Sequence, residues 1–558
     1  MKNAFVLFGL ICTLCFSCSE DRSRTMIGNK AIYGDTVHLS IPEPIEALHP
    51  LFNTDLYSHR IICNIFEPLF ELDTKSGKVL PRVAERYEWK KENTVLRIYL
   101  KKGVLFHDDA CFENKENELT AQDVKFTLEL ACSRNNINQT NDALIGKIKG
   151  ADVFFKEKKA KSIAGITVIN PYCIEIELNG KYTHFPKLLT SSTYGICSKK
   201  AFAFYNSKII YHPIGTGPFK LNNKNTKEII LVYHPQYWKN DVLGNALPYL
   251  DGIVFHVIPK ERNEVIAFKN QQLDLISEVS PQYIDQIITS LSQVHIKKPF
   301  AHKVLVIPGS TVSLLVLNQK LPCFNDARVR KAFDLIIDRE VIANDILNGD
   351  GIPAMKGFAP FSPYYNNHEI PIKQVDEKRA KQLFNEAGYG NKPFPVLDFY
   401  IAGNNTEQAV LYCKNIASRL KKTLGVKCNI HLVDLATRYK AVEQNKAAIW
   451  KLGWAPDYPD PEAYFSLFYS KNQHNNTSLF PKINSAIYDF NYIMGMEEAD
   501  IKLRNNYFTS CDQIIQEENW ILPILYEDFV FVYNMRMRGV KVSQIGTVDF
   551  TNTFIRPL

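Results

Sequence analysis

The chain has 558 residues, 46% of them hydrophobic, 22% charged and 12% aromatic, an ordinary globular composition that is too long for one core and enough for about three or four domains. Its 66 lysines and arginines and 59 aspartates and glutamates leave a net charge of +7, mild for this size and without the concentrated basic patch that nucleic-acid binding needs. The 26 glycines and 28 prolines exclude a collagenous or low-complexity chain.

The first residues read as a leader. Lys2 and the apolar run 4–14 form the n- and h-regions of a secretion signal. The run is shorter than the roughly 20 residues that span a bilayer, and no later apolar run is long enough to do so. Leu14-Cys15-Phe16-Ser17-Cys18 places a small residue before a cysteine and resembles a bacterial lipobox. That implies a signal peptide over 1–17, a lipid on Cys18 and a polar, lipid-anchored tether over 18–30; ordinary cleavage near Ser17 is the alternative. Glu20 and Asp21 beside the cysteine resemble a surface-export signal. The run Lys156, Lys158, Lys159, Lys161, diluted by Glu157, reads as a solvated loop. The cysteines after Cys18 are scattered and show no CxxC, which points to buried thiols and leaves room for one or two bridges.

In chain order, residues 37–41 predict a short strand. Residues 58–69 have helical spacing, with Ile61, Ile62, Ile65, Phe66 and Leu69 on one side. Residues 94–100 alternate as a strand. Thr120 and Asp123 form a capping-box variant ahead of a helix carrying Phe126 and Leu130. Strands follow at 165–169, 173–178, 229–233 and 253–258, with a helix near 264–270. An apolar strand at 314–317 precedes a helix over 326–337 that Asp326 caps. Further helices over 376–387 and 407–424 stop at Gly388 and Gly425. The alternation of strand and helix predicts an α/β fold with mixed sheets.

A series of segments then resembles one family, the solute-binding proteins of peptide/nickel ABC importers, the oligopeptide- and dipeptide-binding group known as family 5. The segments are Ile65-Phe66-Glu67-Pro68-Leu69; Leu80-Pro81-Arg82-Val83-Ala84-Glu85 with Trp89; and Leu100 to Asp108 followed by Leu119-Thr120-Ala121-Gln122-Asp123-Val124-Lys125-Phe126. Pro213-Ile214-Gly215-Thr216-Gly217-Pro218-Phe219 and Leu247-Pro248-Tyr249-Leu250-Asp251 come next in family order. So do Asp326-Ala327-Arg328-Val329-Arg330-Lys331-Ala332, Glu386-Ala387-Gly388-Tyr389, and Gly453-Trp454-Ala455-Pro456-Asp457-Tyr458-Pro459-Asp460-Pro461. Asp109 stands where the family usually has glycine, and an insertion over 110–117 should enlarge a surface loop.

The resemblance implies a two-lobed, periplasmic-binding-protein-like clam-shell of class II with an extra inserted domain. Lobe I would comprise 28–68, 178–311 and 525–558, the extra domain 69–177, and lobe II 312–524. The chain would cross between lobes near 314–317 and 523–526. The implied function is an extracytoplasmic, lipid-anchored monomer in the bacterial cell envelope, on the periplasmic side or the outer surface. It would capture a peptide ligand between its lobes and deliver it to the permease subunits of an ABC importer, with no nucleic acid, cofactor or metal.

The segment Gly453–Pro461 carries the candidate site. Its glycine and prolines forbid regular helix, so an irregular segment is expected. Asp457 falls at the family's ammonium-binding position. Gly453 and Ala455 would offer backbone groups to an extended ligand as an added strand. Trp454 would flank a side-chain pocket or serve the core. Lys451 falls where some oligopeptide binders carry a carboxylate-pairing arginine. Asp460 reads as the N-cap of a helix over 462–467, and Arg328, Arg330, Asp338 and Arg339 as anchors of lobe II. A receptor for another solute (a nickel chelate, haem or a murein peptide) is the alternative within binding. An envelope enzyme and an adhesin are alternatives outside it, but no GxSxG, HExxH or paired-carboxylate motif supports an enzyme.

Overall fold

A computed structural model describes residues 26–557 except 28–30, 53–54, 74–75, 135–142, 157–160, 281–282, 284–286, 288–301, 350, 363–364, 403–406 and 473–478. The leader, Cys18 and most of the tether lie outside the described residues, as do Lys158 and Lys159 of the lysine run.

One four-stranded sheet has the spatial order Phe219–Lys224, Glu228–Tyr233, Gly252–Val257, Thr36–Ile41, its last pair parallel and the others antiparallel. The helix Leu56–Ile65 buries Ile61, Ile62 and Ile65 in the same core as Val37, Leu231 and Phe255. Asp55 caps this helix, and it stops before Pro68 rather than running to residue 69. The ring of Pro68 disfavours helical backbone at the residue before it, which bounds the helix on that side.

A second four-stranded sheet is antiparallel throughout: Ala84–Lys90, Val95–Leu100, Cys173–Glu177, Ile166–Asn170. The helix Ala121–Ala131 packs on it through Val124 and Leu128. Asp123 accepts the Thr120 N–H and the Thr120 hydroxyl, at 3.0 and 2.9 Å, and also the Lys199 N–H at 2.9 Å. The insertion over 110–117 folds back on this unit, with Phe112 stacked on Phe106.

The third sheet is mixed and has seven strands. Its order is Leu275–Ser277, Ile521–Asn534, His302–Leu317, Ile449–Trp454, Leu397–Ala402, Cys428–Val433, with Ile352–Pro353 beside Ile521–Asn534. Strand periodicity separates two cores. Leu315 and Leu317 face the helices Ala327–Leu335 and Glu407–Leu424, whereas Val312, Leu314 and Val316 face Phe465, Tyr488 and Phe508. Asp326 caps the first of those helices, and Gly425 ends the second with a left-handed φ of +72°.

The two longest strands serve both lobes. Residues 302–307 pair with 529–534, where Phe529, Phe531 and Tyr533 join the core of the first sheet. Residues 311–316 pair with 521–527, in the other two cores. The change of core falls at the register shift between Ile307 and Thr311, opposite Glu527 and Asp528. At Gly309 a Cβ would lie 2.3 Å from the Glu527 carbonyl oxygen, so this close approach excludes a side chain. The Gly309 N–H donates to Asp528 at 2.6 Å, and the Ser313 hydroxyl donates to Glu527, so side chains tie the strands together where the lobes meet.

The nine cysteines after Cys18 form no disulfide among the described residues; seven are buried and Cys63 and Cys428 are partly so. Among the described residues no helix is long and apolar enough to cross a membrane.

Candidate ligand-binding cleft

A cavity of about 810 Å³ opens between the two sheet systems, above the paired strands that join them. Ser40, Tyr57, Glu264 and Glu278 line it from the first lobe, and Tyr412, Arg438 and residues 451–455 from the second. Thr311, Glu527 and Asp528 form part of its floor. Lys451, Gly453, Trp454, Ala455 and Asp457 all line it.

These five are placed by one strand and its exit. Ile449–Trp454 pairs antiparallel with the strand His302–Leu317 along its length, from Ile449 opposite Leu317 to Trp454 opposite Val312. On its other side it meets Leu397–Ala402 only at Ile449 and Trp450. Residues 451–454 therefore have a second edge without a partner strand. Gly453 is exposed, and a Cβ there would meet nothing within 4 Å. The segment read as irregular from residue 453 thus begins as strand, because Gly453 and Trp454 continue the ladder opposite Ser313 and Val312. Irregular backbone carries Asp457 beyond its end, partly buried, where it also lines a side cavity of about 110 Å³. The Trp454 ring stands edge-on to Phe480 at 5.6 Å, and its Nε1–H meets no acceptor among the described residues. Lys451 is partly buried and forms no ion pair among the described residues.

Asp460 is not the N-cap expected from sequence: the short helix Glu462–Phe465 begins after Pro461, which holds that position in helical backbone. Asp460 accepts the Glu462 N–H at 2.9 Å from one residue further back, and it is a fully buried partner of Arg504 and Lys187. Of the other groups read as structural, Arg339 is buried against Asp334 and the Pro523 carbonyl, and Arg330 against the Phe324 and Glu518 carbonyls.

Sequence reading missed the electrostatics of the walls. Asp55, Glu261, Glu264, Glu278, Glu527 and Asp528 join Asp457 around the cavity, against Lys451 and Arg438. Glu278, in left-handed backbone at φ 55°, is held by Tyr57 and Arg60. Glu264 accepts the Ser40 hydroxyl and has no salt-bridge partner among the described residues. Burial, with Glu278 and Glu261 nearby, pushes its carboxyl up to about 7. Burial also raises Asp528. The cleft offers an open strand edge and a carboxylate-rich wall, and no group of residues suited to a metal exists among the described ones. An open edge of this kind binds extended main chain, and the carboxylates favour cationic groups beside it.

The class defined by this fold and cleft is a two-lobed α/β binding protein with its site across the strands that link the lobes. Residues 78–476 match the family of bacterial extracellular solute-binding proteins, family 5, and the chain belongs to that family. The periplasmic oligopeptide-binding protein OppA of Salmonella typhimurium is 24% identical over 537 residues, covering 94% of this chain and 93% of that one. The OppA of Bacillus subtilis is 23% identical over 532 residues, covering 93% of this chain and 93% of that one. The structure of Helicobacter pylori DppA in complex with the peptide STSA is similar at a TM-score of 0.77 and 21% identity, covering 94% of this chain and 99% of that one. That of Haemophilus influenzae OppA in complex with RPPGFSPFR gives 0.79 at 18% identity, covering 94% and 100%.

Proposed function

We propose that this protein captures peptides between its lobes and delivers them to an ABC importer, without chemistry of its own. The observation that carries this reading is the unpaired edge of residues 451–454 on the cavity, with Asp457 just beyond the strand's end. An added ligand strand would bond that edge through main-chain groups, which admits many side chains. Asp457 would hold the ligand's α-ammonium, Trp454 would flank a side chain, and Gly453 and Ala455 would supply backbone groups. Relatives named for oligopeptide binding and structures with bound peptides support the same reading.

Lobe I would comprise 28–68, 178–311 and 525–558, the extra domain 69–177, and lobe II 312–524. The protein would act as a monomer held to the bacterial envelope by a lipid on Cys18. The test is calorimetry on refolded protein with a panel of di- to pentapeptides, together with native mass spectrometry of the protein as purified. Intact peptides bound and released unchanged support a receptor; hydrolysis of the panel, or no binding of any member, overturns it. Mass spectrometry of the N-terminal peptide tests the lipid, and an unmodified Cys18 in envelope-derived protein rules it out.

A further inference from the structure

We propose that Arg438 is an anion-binding residue of the cleft that takes a carboxylate of the ligand; this rests on the peptide-binding reading above. Arg438 lies on the helix Leu435–Glu443 and lines the large cavity while remaining only 4% exposed. No aspartate or glutamate among the described residues pairs with it. One nitrogen, Nη1, donates to the Lys451 carbonyl at 3.1 Å, and Nε meets no acceptor among the described residues. Its guanidinium also lies 5.5 Å from the centre of the Tyr439 ring. The other buried arginines among the described residues are compensated: Arg504 by Asp460, Arg339 by Asp334, Arg82 by Glu67 and Asp549, Arg60 by Glu278, and Arg330 by Glu518 and backbone carbonyls. Arg438 alone of these lines the large cavity without a carboxylate. A buried guanidinium cannot shed its proton, so its charge calls for an anion, and its planar fork matches a carboxylate.

The position agrees with the open edge. Arg438 bonds the carbonyl of Lys451, the residue where the unpaired part of Ile449–Trp454 begins. Asp457 lies beyond the other end of that edge. Strand residues advance about 3.3 Å each, so the edge over 451–454 spans roughly 10 Å, the length of about three ligand residues. A ligand laid along it with its ammonium towards Asp457 brings a carboxylate to Arg438. That carboxylate is either the C-terminal group or an acidic side chain near it. The acidic remainder of the lining disfavours a carboxylate elsewhere in the cavity.

The experiment measures binding of di- to pentapeptides of alanine and of lysine by calorimetry, each as free acid and as C-terminal amide. A third arm replaces the last residue of the amides with glutamate. Wild-type protein should bind the best free acid at least about 30-fold more tightly than its amide, the scale for leaving a buried charge unpaired. Arg438→Gln should reduce that ratio below about 3-fold by weakening the acid, and Arg438→Lys should fall between. Recovery by the glutamate amides assigns the site to any carboxylate, and no recovery assigns it to the C-terminus. Circular dichroism checks the variants; if Arg438→Gln does not fold, Arg438→Lys carries the test, and an acid-to-amide ratio equal to that of wild type overturns the inference. Equal binding of acids and amides by wild type, or an unchanged ratio in Arg438→Gln, overturns this inference and leaves the peptide reading intact. Failure of every peptide to bind overturns both.

Discussion

Asp460 receives Nη2 and Nη1 of Arg504 at 2.7 and 3.2 Å, and the ammonium of Lys187 at 3.2 Å, with all three side chains buried. Arg504 lies on the helix Ile501–Glu518 of the second lobe, whereas Lys187 neighbours Phe185 and Leu188 in the core of the extra sheet. One carboxylate therefore joins two units, three residues past Asp457. Glu462 repeats the arrangement with Lys147 at 3.0 Å and the Tyr492 hydroxyl. Burial alone would raise the Asp460 carboxyl, but Arg504 and Lys187 outweigh it and hold the group well below the usual carboxylate range.

Asp460→Ala should therefore leave two buried cations without their anion and destabilise the protein by about 3–5 kcal/mol. Because the folded group is more acidic than the unfolded one, its contribution is complete above the unfolded value of about 4 and is lost as pH falls through and below it. Urea unfolding at pH 7 and pH 3 measures both effects. The variant should lose most at pH 7, and the gap to wild type should narrow at pH 3. A variant as stable as wild type at pH 7 would show that the network is dispensable.

Glu264 has the opposite sign. Its folded carboxyl titrates near 7, well above the unfolded value of about 4.3, so the unfolded chain releases its proton first. Stability from this group is highest at low pH, declines as pH rises from about 4 to about 7, and is level above that. Glu264→Gln should be more stable than wild type at pH 8, by on the order of 1–3 kcal/mol, and nearly equal to it at pH 4.5. Parallel denaturation curves at the two pH values make the comparison. A constant difference between variant and wild type would mean that Glu264 is ionised throughout.

Local features of the fold were legible because their partners are close in sequence. The Thr120–Asp123 box, the Asp326 cap and the stop at Gly425 are each decided within a few residues. The helix that ends before Pro68 and the strand that continues through Gly453 and Trp454 were not, since a following proline and a ladder partner at Val312 and Ser313 decide them. The walls of the cleft were less legible still. Ser40 meets Glu264 across 224 residues of chain, and Lys187 meets Asp460 across 273. Arg438 looks like any helix-surface arginine in sequence, and only the fold shows it buried and unpaired by a carboxylate.

Asp457 carries the most direct prediction of the receptor reading. A peptide enclosed between the lobes must strip water from its α-ammonium, and that charge needs a partner in the cleft. Asp457 lines the cavity beyond the end of the open strand edge, beside Trp454, so a ligand strand on that edge can present its first residue there. Asp457→Ala should cost about 2–5 kcal/mol of affinity, roughly 30-fold to several-thousand-fold in dissociation constant. Asp457→Asn should be milder, because it keeps an acceptor and loses only the charge. An N-acetylated peptide should bind wild type weakly and discriminate little between wild type and Asp457→Ala. Lys451→Ala should have a smaller effect, confined to ligands whose carboxylate reaches it. Calorimetry with free and acetylated peptides, on variants checked by circular dichroism, reads all of these. If acetylation leaves affinity unchanged, or Asp457→Ala binds as wild type does, Asp457 is a turn residue and the ammonium is held elsewhere.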